Sequence, residues 1–142
     1  MNDIFTPFYD NAVFFNYFNY QYLLGAVYDN NDYTKYGLLI IFMPIIFQIL
    51  FYKLWDPIAY QIHKLIAVSA VYLVGAFFVS NAILYNNNDM LDLIGAYEEN
   101  SIDPEYFILQ MGLITVLYTF ISSAIFIFVI KKLSTNNSHN PF

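Results

Sequence analysis

Hydroxyl and amide side chains recur at helical spacing within otherwise apolar stretches of this chain. Gly112, Thr115, Thr119 and Ser122 fall at i, i+3, i+7 and i+10, on one face of a helix. Ser69, Ala76 and Ser80 form a similar stripe, the last two at small-xxx-small spacing. Small residues let helix backbones approach closely, and hydroxyls hydrogen-bond across the contact. Three uses fit the pattern: packing within one subunit, contact with another subunit, or the wall of a polar pore. Pro44 and Gln48 add a second polar feature, four residues apart on one face. Pro44 has no N–H to bond the Ile40 carbonyl, so a kink is expected there. In lipid the freed carbonyl needs a donor from a neighbour or from water, and the Gln48 amide needs a partner as well. This face is therefore expected to lie against a partner helix. A substrate site at a broken helix is the alternative, although transporters use that device with many more helices.

Ionisable chemistry is missing from the same stretches. No Asp, Glu, Lys, Arg or His falls within residues 36–52, 65–85 or 106–130. Such groups at membrane depth mark proton relays and ion paths, so a proton-driven pump is not expected. The chain also has no H-E-x-x-H, no G-x-S-x-G and no phosphate-cradling glycine loop. No catalytic residue, cofactor or metal is assigned, and the chain is expected not to be an enzyme. His63, beside Lys64, reads as a solvated interfacial histidine, and His139 lies in the tail. Asp89, Asp92, Glu98, Glu99, Asp103 and Glu105 match no EF-hand spacing and read as solvating an extramembrane loop, as do Asp29 and Asp32. The lack of Cys excludes disulfides and thiolate chemistry. Five Lys, no Arg and eleven acidic residues give a net charge of −6, which leaves no basic footprint for nucleic acid.

The elements that carry these residues follow from composition. The chain has 142 residues, of which 11% are charged and 59% apolar. A soluble domain has roughly 25% charged residues, so this one has too few to cover a water-facing surface. The expected fold is an all-α integral membrane protein, a small antiparallel transmembrane helix bundle forming a single membrane domain over 1–142. Uncharged runs of 21 residues (65–85) and 25 residues (106–130) clear the ~20 needed to cross a bilayer. The run 36–52, with 17 residues, is at the short end of that range. Spans are placed at 36–54, 57–85 and 104–130. Asp56-Pro57 and Asp103-Pro104 each read as an N-cap followed by proline at the first helical position.

Residues 11–28 are uncharged and aromatic. They read either as an interfacial helix, with Phe14, Phe18, Tyr22 and Gly25 facing down, or as a fourth span with Asn16 and Asn19 turned inward. Residues 89–98 read as a short amphipathic turn on the outer surface, with Met90, Leu91, Ile94 and Tyr97 opposite Asp89, Asp92 and Glu98. Lys53 and Lys64 bracket one tight loop, and Lys131 and Lys132 follow the last span. The positive-inside rule puts that loop and the 131–142 tail in the cytoplasm, with Lys35 as the one dissenter. The Asn, Tyr, Phe, Ile and Lys-without-Arg bias points to an A/T-rich, bacterial source.

The expected function is a non-enzymatic structural or accessory subunit of a larger bacterial inner-membrane assembly of the secretion or transport type. The expected partners are the lipid bilayer and other membrane protein subunits. An oligomeric channel or small-solute carrier is the competing reading, and a membrane-embedded immunity or regulatory protein is the third.

Overall fold

The computed structural model describes residues 1–10, 21–54, 61–95 and 103–131. Among these there are six helices and no strand: α1 (Asn2–Asp10), α2 (Gln21–Asp29), α3 (Asp32–Leu54), α4 (Gln61–Tyr85), α5 (Asn88–Gly95) and α6 (Pro104–Lys131). The three long helices are the uncharged runs of the sequence. At 1.5 Å per residue they are roughly 35–42 Å long, which exceeds the ~30 Å of a bilayer core. They are the candidate membrane spans among the described residues, by length and hydropathy.

The starts of α6 and α3 have local causes. Asp103 Oδ1 accepts the Glu105 N–H at 2.9 Å and the Tyr106 N–H at 3.4 Å, with Pro104 between them as the first helical residue. Asp56-Pro57 lies outside the described residues, and α4 is described from Gln61. The α2–α3 turn places Asn31 at φ 57°, a left-handed conformation that asparagine tolerates better than most side chains.

α3, α4 and α6 pack on one another in up-down-up order. Early α3 meets late α4 where Tyr36 bonds Ser80, and late α3 meets late α6 where Gln48 bonds Ser123. The N-terminal ends of α3 and α6 therefore share one end of the bundle with the C-terminal end of α4. The main core lies at that end, where α1, α2 and α5 close over it around Tyr9, Val27, Tyr33, Tyr36, Met90 and Phe107. A smaller cluster of Phe51, Leu65 and Ile130 lies at the other end.

Three features were not read from the sequence. Helix α1, which runs through Pro7, was not anticipated. In α2, Tyr22 is 86% exposed, and Leu23, Leu24, Ala26 and Val27 make the buried contacts. Phe14, Asn16, Phe18 and Asn19 lie outside the described residues. In α5, Met90, Leu93 and Ile94 face the core at i, i+3 and i+4, while Leu91 is exposed. That helix packs against α2, α4 and α6. Tyr97, Glu98 and the tail from 132 lie outside the described residues.

Candidate functional site

The polar side chains of the long helices converge on the seams between them. α3 continues through Pro44, which is buried. The carbonyl that Pro44 leaves without its helical donor is Ile40 O, and Ser122 Oγ of α6 lies 2.8 Å from it. The same hydroxyl is 2.9 Å from Thr119 O, so one proton is shared between its own helix and its neighbour. A break in one helix is thus met by a hydroxyl from another.

One turn further along α3, Gln48 is 1% exposed. Its Nε2 donates to Ser123 O and to Ser123 Oγ, both at 2.9 Å. Ser123 Oγ also meets the Tyr72 hydroxyl of α4, a contact in which either oxygen can donate. Tyr72 in turn points its hydroxyl at Ser69 Oγ, 3.4 Å away. A chain of neutral groups, Gln48, Ser123, Tyr72 and Ser69, therefore ties α3, α6 and α4 together.

The rest of the two small-residue stripes divides by role. Thr115 and Thr119 are fully buried. Thr115 donates to Met111 O at 2.8 Å, so Tyr9 of α1 is the donor in the 3.0 Å Tyr9–Thr115 contact. Thr119 donates to Thr115 O in its own helix at 2.7 Å. Gly112 is the point of closest approach to α4: a Cβ there would come within 2.5 Å of Asn81 Oδ1 and 3.0 Å of the Phe77 ring. Ala76 and Ser80 are fully buried on α4. Ser80 Oγ turns back to Phe77 O, and its carbonyl accepts from Tyr36 at 2.9 Å. Ser69 is half-buried.

A second polar centre lies at the end closed by α1, α2 and α5. Asn87, 1% exposed, donates to Ala26 O at 3.0 Å and to Asp32 Oδ2 at 2.7 Å, and caps α5 by accepting the Met90 N–H at 3.1 Å. Asp32, expected to be solvated, is fully buried and also pairs with Lys35 Nζ at 2.6 Å. Its carboxylate sits at the N-terminus of α3, where the helix dipole favours negative charge. Asn2 bridges two helix ends from outside: its Nδ2 donates to Tyr28 O of α2, and its Oδ1 accepts the Thr34 N–H of α3. Tyr28 donates to Asp3 at 2.6 Å, and that hydrogen bond raises the Tyr28 hydroxyl above the usual phenol range. Burial raises the Tyr9 hydroxyl further.

Tyr9, Tyr36, Tyr72, Ser123, Asp32 and Asn87 were not singled out from sequence as contact residues. Ser123 alone had a local signal, since it continues the Thr115, Thr119 row at the next i+4 position. The tyrosines carry no periodic mark in a chain with 14 of them. Chemically, the mid-bundle groups are neutral hydrogen-bond donors and acceptors, suited to holding helices in register. Comparison with family models, curated proteins and solved structures finds no match to this chain.

Proposed function

We propose that this chain is a multi-pass protein of the bacterial inner membrane that works by contact, as a non-enzymatic accessory subunit of a larger secretion- or transport-type assembly. The observation that carries this reading is the direction of the polar groups. Gln48, Tyr72, Ser122 and Ser123 turn inward and bond one another or the Pro44 break. The outward positions of α3, α4 and α6, such as Phe42, Ile46, Val74, Phe78, Leu113 and Phe128, are apolar. A protein built this way meets its surroundings through hydrocarbon faces and short polar ends.

Charge distribution supports an orientation with the C-terminus and the 53–64 loop in the cytoplasm. Lys53, Lys64 and Lys131 fall at one end of the up-down-up bundle. At the opposite end stands Lys35 alone, paired with the buried Asp32, so the lysine count favours the 53–64 end as the inside. Copurification in mild detergent tests the proposal. A defined set of membrane proteins recovered in fixed ratio with the tagged chain is the expected result. Conductance, or gradient-driven uptake by the purified chain in liposomes, would favour the channel or carrier instead. Recovery of a single membrane-embedded partner would favour the immunity or regulatory reading.

A further inference from the structure

Below its first turn, helix α1 is apolar on both sides. Its inner side sets Phe5 on α3 and Tyr9 on α6, and its outer side exposes Ile4, Pro7 and Phe8. A surface helix in water carries polar residues outward, and among the described side chains of α1 only Asp3, in the first turn, does so. The contacts with α3 advance in step. Asn2 Oδ1 accepts the Thr34 N–H at 3.1 Å, the Phe5 ring lies where a Cβ on Gly37 would come within 2.4 Å of it, and Phe8 lines one groove with Ile40. α1 therefore runs parallel to α3, away from the Asn87 end and down the bundle. Its lower end is fixed on α6, where Tyr9 bonds Thr115 at 3.0 Å and the Tyr118 hydroxyl donates to Phe8 O. Thr115 lies nine residues beyond Tyr106, roughly 14 Å along α6, and Tyr118 is the central residue of the uncharged 106–130 run.

We propose that α1 is a re-entrant half-helix that enters the bilayer from the Asn87 end beside α3 and ends near mid-depth, with Ile4, Pro7 and Phe8 against the acyl chains of that leaflet. The proposal rests on the membrane reading above and adds an element to it. Half of a ~30 Å hydrocarbon core is about 15 Å, the depth at which Tyr9 meets Thr115. The outward side of α1 also continues the apolar surface of the long helices. A groove of about 250 Å³ joins Phe5 and Phe8 to Ile41, Ile121 and Ile125, the last two exposed on α6. The polar groups at its wall are engaged already, Ser122 Oγ with Ile40 O, Tyr9 with Thr115 and Tyr118 with Phe8 O, so hydrocarbon is the chemistry that fits it. At the upper end Asp3 accepts from Tyr28, so polarity falls along α1 from its start inward. A helix that stops inside a bilayer leaves its last carbonyls without helical donors, and backbone at that depth needs protein or water beside it. Tyr118 supplies one such donor from α6. Asp10 is the last residue of α1, and an ionisable residue at that depth requires the same protein or water.

The test uses the full chain in phosphatidylcholine vesicles, with a bimane probe on the single-cysteine variants Ile4→Cys and Phe8→Cys and, as the depth reference on α3, Phe42→Cys. Quenching is compared among phosphatidylcholine with a nitroxide at the headgroup, phosphatidylcholine with a nitroxide deep in its acyl chain, and aqueous iodide. The probe at 8 is expected to be quenched most by the deep nitroxide, as at 42. The probe at 4 is expected to shift toward the headgroup nitroxide, because four residues of a descending helix differ in depth by roughly 6 Å. Equal depths at 4 and 8 describe a helix lying flat and would overturn the proposal. Iodide quenching at 8, with the deep nitroxide still preferred at 42, would overturn it as well. Iodide quenching at 42 would instead overturn the membrane reading beneath it.

Discussion

The middle of the bundle and its α1–α2–α5 end solve the same problem with different chemistry. In the middle, the groups are neutral: Gln48, Ser122, Ser123 and Tyr72 exchange single hydrogen bonds between helices. At the end, Asn87 holds a buried carboxylate, a helix-end carbonyl and a helix-start N–H together. A charge is affordable at the end because Lys35 and the α3 dipole lie beside Asp32 and water is near. In the hydrocarbon read for the middle, nothing would compensate it. The difference implies that the end is the fragile centre and the middle a set of modest, separable bonds.

The sharpest way to break that contrast is Asn87→Leu. It strips Asp32, Ala26 O and the Met90 N–H of a partner together, and about 3 kcal/mol of stability is expected to go, read as a shift in the detergent unfolding midpoint. A loss no larger than that of the single-bond variants below would erase the distinction between the two regions. Gly112→Leu comes next. Its side chain has to displace Asn81 and Phe77, which predicts a loss of about 2 kcal/mol from overpacking. Gly112→Ala is expected to act in the same direction, because the clash begins at Cβ.

Ser122→Ala isolates one mid-bundle bond. It leaves Ile40 O without its donor from α6, and about 1 kcal/mol is expected to be lost. The double variant Pro44→Ala with Ser122→Ala should recover part of this loss, since alanine restores the N–H that bonds Ile40 O. Tyr9→Phe is the smallest effect, about 0.6 kcal/mol at neutral pH from the bond to Thr115. It also has a pH signature. The folded Tyr9 hydroxyl titrates above its unfolded value of about 10, so its contribution is complete below pH 10 and declines as pH rises beyond it. The alkaline decline of the wild type should be steeper than that of Tyr9→Phe.

What the sequence made legible follows the same division. The three long helices were readable because a charge-free run of this length is a one-dimensional signal, and the Asp103-Pro104 start is a local motif. Gln48 and the carbonyl freed by Pro44 announced a need for partners, since amide groups in lipid must be satisfied. Which partners they take was not readable. Ser123 reaches Gln48 across 75 residues, and Tyr9 reaches Thr115 across 106, distances set by how whole helices pack. Asp32 read as an ordinary turn carboxylate because its burial depends on Asn87, 55 residues away. Helix α1 escaped notice because its fixing contacts are tertiary: Asn2 on the α2–α3 corner, and Phe5 lying flat on Gly37, where a side chain would clash with the ring.

The central claim is that α3, α4 and α6 cross a bilayer, with the Asn87 end outside and the lysine end in the cytoplasm. Labelling of single-cysteine variants by a membrane-impermeant maleimide in intact cells tests it most directly. Asp92→Cys, on the exposed side of α5, is expected to label in intact cells. Ser138→Cys in the tail is expected to label only after the membrane is permeabilised. Labelling at 138 with none at 92 would invert the orientation, and equal labelling of both in intact cells would contradict a chain whose three apolar helices cross the membrane.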